Sequence, residues 1–70
     1  MRNALEKQLA EFLRRKRGRR TYAEFSRRLG LPQSTLHRLE SCEQSITLRR
    51  LQQILRRLRS SLAEVFPKQF

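Results

Sequence analysis

The chain has 70 residues, with 17 Lys and Arg against 6 Asp and Glu, which gives a net charge of +11 on 8.5 kDa. That length allows one domain with a modest core, one that oligomerisation would help. The single Cys42 and single His37 exclude an intramolecular disulfide, a Cys-rich metal site and a zinc finger, so neither metal nor cofactor is expected.

Asn3 is placed to cap a first helix, with Glu6 at the capping-box position and Leu5, Leu9, Phe12 and Leu13 forming a buried stripe. Gly18 ends this helix, and Arg14 to Arg17 sit in its last turn, where cations suit the helix dipole. Thr21 caps a second helix and Glu24 completes its box; Phe25 and Leu29 point inward, Ser26 makes a small contact, and Gly30 is the stop. Leu31 reads as an apolar plug in the turn. Pro32 starts a third helix, whose inner side is Leu36 and Leu39. A loop spans Ser41 to Ile46. Thr47 then caps a fourth helix with Leu48, Leu51, Ile54, Leu55 and Leu58 on one side. Ser60 or Ser61 starts a short fifth helix carrying Leu62, Val65 and Phe66, and Pro67 stops it.

No segment alternates with period two, so the expected fold class is all-α: a compact bundle of five short helices in a single domain over residues 1–70. No apolar run approaches the ~20 residues of a membrane span, and no signal-peptide pattern is present, so a cytoplasmic, reducing setting is expected. The positive charge attracts polyanions, either nucleic acid or an anionic membrane surface. A membrane-active cationic peptide would be one long amphipathic helix, whereas Gly18, Gly30 and Pro32 interrupt this chain. No Cys/His arrangement, carboxylate pair or Gly-rich phosphate loop suggests an enzyme.

Thr21, Phe25-Ser26, Leu29-Gly30-Leu31, Leu36, Leu39-Glu40 and Leu48-Leu51-Ile54 together resemble the lambda-repressor/Cro-like helix-turn-helix family over roughly residues 3–66. The resemblance implies a helix-turn-helix at helices two and three, with a recognition helix at about 32–41 lying in the major groove of double-stranded DNA. There are departures. Cys42 stands where the family often has Gly, which predicts a differently built loop. Arg20, Tyr22 and Ile46 replace a common apolar residue, a phosphate-contacting glutamine and a proline.

By the resemblance, Gln33, Ser34, Thr35, His37 and Arg38 contact bases; the alternative for them is an ordinary solvated face. Gln suits adenine and Arg suits guanine. Arg19, Arg20, Thr21, Tyr22, Ser41, Gln44, Thr47 and Arg49 are the candidates for phosphate contact. Tyr22 has packing as its alternative, and Arg56, Arg57 and Arg59 read equally as a solvated face. Glu40 reads as an anchor to helix one, paired with Arg14 or Arg15. Leu62, Val65, Phe66 and Phe70, within about 60–70, are the candidate seam of a homodimer reading a palindromic operator. The expected function is that of a sequence-specific repressor. It would be autoregulatory and of a phage or mobile-element kind, such as a Cro-like or anti-CRISPR-associated regulator. The alternative is an antitoxin-type module that binds a partner protein and DNA only secondarily.

Overall fold

The computed structural model describes residues 4–69. Five α-helices follow one another: α1 Ala4–Arg17, α2 Tyr22–Leu29, α3 Gln33–Glu40, α4 Leu48–Leu58 and α5 Leu62–Val65, then a 3₁₀ turn at Pro67–Gln69. There is no strand among the described residues. The expected caps of Asn3 and the seam position Phe70 lie outside them.

The helix boundaries come from local chemistry. Thr21 Oγ1 accepts from Glu24 N at 3.1 Å, and Glu24 Oε1 accepts from Thr21 N at 2.9 Å, a complete capping box. The Thr21 backbone N–H, and after it the Thr21 hydroxyl, hold the Glu24 carboxyl below the usual carboxylate range. Ser61 and Glu64 repeat the box at α5, and Thr47 caps α4 through Arg50 N. Gly30 closes α2 at φ 73°, a left-handed backbone that a side chain resists. Pro32 is the N-cap of α3 and not its first helical residue; its carbonyl accepts from Leu36 N at 3.1 Å. Pro67 does not simply stop α5: it opens the 3₁₀ turn, where its fixed φ is tolerated.

The core collects Phe12 and Leu13 of α1, Phe25 and Leu29 of α2, Leu36 and Leu39 of α3, Ile54 of α4 and Val65 of α5. Each such side chain contributes about 1.5–3 kcal/mol on burial. α1 packs on α3 and α5, while α2 packs on α3 and α4. Two apolar positions depart from the expected stripes. Leu5 is 50% exposed and Leu48 is 84% exposed, each in the first turn of its helix. Val65 departs the other way. It is 1% exposed within one chain, so it is occupied by this chain's own core and is not free to form a seam.

The loop after α3 keeps the backbone that a glycine would have supplied. Cys42 itself adopts φ 59°, with Cys42 N bonded to Leu39 O and Glu43 N to Arg38 O. The expected rebuilding of the loop does not occur; instead a β-carbon is carried in the left-handed region. Ser45 Oγ donates to Glu6 Oε2 at 3.0 Å and ties the loop to α1.

The α2–α3 turn is gripped from α4. Gln53 Nε2 donates to Leu29 O at 2.9 Å and to Gly30 O at 3.3 Å, and Arg57 Nη1 donates to Arg28 O at 3.4 Å. These are carbonyls at the end of α2, which otherwise have few partners.

Candidate nucleic-acid interface

The register of α3 separates two sides. Leu36 and Leu39 are buried against the core together with Glu40, whereas Gln33, Ser34, His37 and Arg38 are exposed. Those four share one outer line at spacings of three and four residues. Thr35 is half-buried at its edge. The side therefore presents an amide, a hydroxyl, an imidazole and a guanidinium, groups that can pair with base edges. No side chain caps the N-terminus of α3, so the N–H groups of its first turn are open to an acceptor such as a phosphate oxygen.

Behind this side lies an ion pair that fixes α3 to α1. Arg17 Nε donates to Glu40 Oε2 at 2.9 Å and Arg17 Nη2 to Glu40 Oε1 at 3.1 Å, a planar fork on a carboxylate. The third branch, Nη1, donates to Arg20 O at 3.2 Å. The Glu40 side chain is 2% exposed and that of Arg17 is 22% exposed. Donating to the Glu40 carboxylate raises the pKa of the Arg17 guanidinium above its ordinary value against the opposing effect of burial. Glu40 is thus an anchor to helix one, as expected, but its partner is Arg17. Arg14 and Arg15 are exposed. Arg17 follows Leu13 and Leu9 at four-residue spacing and so continues the inner row of α1.

Tyr22, the first residue of α2, closes the arrangement. The Arg17 guanidinium lies 4.3 Å from its ring centre, and the ring meets the His37 ring edge-on, with centres 5.5 Å apart and planes at 61°. Its hydroxyl is 3.4 Å from Glu40 Oε1. The start of α2 and the outer side of α3 are brought together here.

Of the other expected phosphate contacts, Arg19, Arg20, Thr21, Ser41, Thr47 and Arg49 are exposed and Gln44 is half-buried. Arg20 Nη1 folds back to donate to Lys16 O at 3.3 Å. Thr47 uses its hydroxyl oxygen as a cap, which leaves its O–H free to donate, whereas the Thr21 hydroxyl also faces the Glu24 carboxylate. Among the described residues, Arg17 is the one cation paired with a carboxylate. The reach of Gln53 and Arg57 to the end of α2 was not foreseen; their four-residue spacing on α4 was the available signal.

Leu62 is exposed and Phe66 is half-buried. They border two shallow apolar depressions, of about 240 and 480 Å³, that share Leu48 and Leu51. Among the described residues, no group of three metal-ligating side chains occurs, and no helix is long and apolar enough to cross a membrane.

The profile of a protein family described as helix-turn-helix matches residues 12–65. No curated protein and no solved structure matches the chain.

Proposed function

The chain belongs to the lambda-repressor/Cro-like helix-turn-helix family of DNA-binding transcription regulators, and from that premise we propose that it is a sequence-specific repressor acting on double-stranded DNA. The observation that carries the reading is the outer side of α3, where Gln33, Ser34, His37 and Arg38 stand exposed in one line above a buried anchor. Arg38 and Gln33 read base edges; Arg19, Thr21, Ser41, Thr47 and Arg49 take phosphates from the flanking turns. Thr35 and Gln44, half-buried, serve at the margins. A bound copy obstructs polymerase, and control of its own gene is the simplest use of so small a regulator, in a phage or mobile-element setting and in the cytoplasm.

One domain reads few base pairs, so the active form is a homodimer on a palindromic operator with half-sites about 34 Å apart. Its seam combines Leu62 and Phe66 with Leu48, a leucine 84% exposed in the single chain. The same exposed leucine favours a second reading, in which this side binds a different protein, as in an antitoxin-type module.

Duplex binding titrated against salt tests the reading. With about 6–10 phosphate contacts, affinity falls by about 10³–10⁵ between 50 and 200 mM salt. A flat salt response contradicts it. Light scattering on Leu62→Asp decides the seam: a dimer in the parent and a monomer in the variant support it, and a monomeric parent favours the second reading.

A further inference from the structure

We propose that Tyr22 is a specificity-positioning residue: its ring, braced by Arg17 and Glu40, sets the orientation of His37 and so decides which base His37 meets. This rests on the reading of α3 as the DNA-reading helix. It departs from the phosphate-gripping role that the resemblance attaches to the first residue of α2.

Three observations carry it. First, the Tyr22 hydroxyl, the group that would grip a phosphate, is turned toward Glu40 Oε1 at 3.4 Å. Second, the ring is held from behind. The Arg17 guanidinium covers it at 4.3 Å, and that guanidinium is itself locked by its fork on Glu40, which is buried. Third, the free edge of this braced ring meets the His37 imidazole at 5.5 Å and 61°.

The physical consequence concerns His37. An exposed side chain on a helix samples more than one staggered rotamer. Here one flank is closed by the Tyr22 ring, which favours an edge-on partner. His37 therefore presents a restricted imidazole beside Ser34 and Arg38, and an imidazole N–H can donate to the acceptors of a purine in the major groove. Specificity at that base pair becomes a property of two residues on two helices.

The experiment selects binding sites from randomised duplexes with the parent chain, His37→Ala, Tyr22→Phe, Tyr22→Leu and the double variant Tyr22→Leu/His37→Ala. His37→Ala is expected to lose a preference of at least about fivefold at one base position, the low end for a base contact. Tyr22→Leu loses preference at the same position, the double variant loses no more, and Tyr22→Phe keeps it. Salt slopes stay equal throughout.

If Tyr22→Phe weakens all sequences alike and leaves the base preferences intact, Tyr22 grips a phosphate through its hydroxyl and the proposal is overturned. A parent that selects a sequence which His37→Ala and Tyr22→Leu leave unchanged overturns this proposal alone. A parent that selects no sequence overturns the DNA-reading function with it. A measurement on the unaltered free protein covers the case in which Tyr22→Leu fails to fold. The His37 ring protons should show a ring-current displacement from Tyr22 in the nuclear magnetic resonance spectrum, and its absence overturns the proposal.

Discussion

Removing Arg17 should cost far more than removing its partner Glu40. The Glu40 carboxylate is 2% exposed, so in Arg17→Met it stays buried with the weak Tyr22 hydroxyl bond as its only side-chain partner. Stranding a buried charge costs about 3–5 kcal/mol. Small domains have about 5–15 kcal/mol in total, and a short chain belongs at the low end, so Arg17→Met should lose roughly half its stability or more. In Glu40→Gln the stranded group is a guanidinium already 22% exposed, which can turn to water, and the amide oxygen still accepts. That change should cost about 1–2 kcal/mol. Arg17→Met combined with Glu40→Leu replaces the pair by apolar groups and should recover most of the loss. Urea denaturation followed by far-ultraviolet circular dichroism measures all three. Arg19→Met controls for the relief of charge repulsion, since Arg19 is exposed and unpaired. The reasoning is refuted if Arg17→Met costs less than Glu40→Gln, or if the double variant is no more stable than Arg17→Met.

Gly18→Ala should cost about 0.5–1 kcal/mol in a thermal melt, the left-handed backbone strain less the entropy that glycine loses on folding, since its added Cβ meets only Arg15 O at 3.9 Å. Gly30→Ala should cost about 1 kcal/mol more, because its Cβ would lie 2.9 Å from Gln53 Nε2 and displace the hydrogen bond to Leu29 O. Cys42→Gly, at φ 59°, should stabilise the fold by about 0.5–1 kcal/mol, after the entropy of the extra glycine is set against the strain relieved, and so raise the melting point. Glu24 has a depressed folded pKa, so its contribution is present above the ordinary carboxylate range and is lost as pH falls through the folded value. Urea midpoints followed downward from about pH 5 should therefore fall more steeply for the parent than for Glu24→Gln.

The elements that could be read from the sequence are those whose cause is local. Thr21 with Glu24, Thr47, Ser61 and Gly30 each act within a few residues, and each does in the structure what its type predicts. The outer line of α3 was legible for the same reason: Leu36 and Leu39 fix which way the helix turns, and the polar residues follow. What failed depended on where a helix ends against its neighbours. Leu5 and Leu48 have the right periodicity, but in the first turns of their helices they stay exposed. Val65 was assigned to a partner because a helix so short has to dock on something; it docks on its own chain. Arg17 was missed because a run of cations at a helix end suggests solvent. Its place in the row of Leu9 and Leu13 carried the better information.

The most direct test of the central claim, that the outer side of α3 reads DNA sequence, is site selection from randomised duplexes by the parent chain and by Arg38→Ala. The parent should enrich an inverted repeat. Arg38→Ala should bind its best site with about 1–3 kcal/mol less free energy per half-site and lose its preference at one base position in each half-site, with all other positions unchanged. Enrichment of the same full sequence by both proteins, or of no sequence by either, would contradict the account.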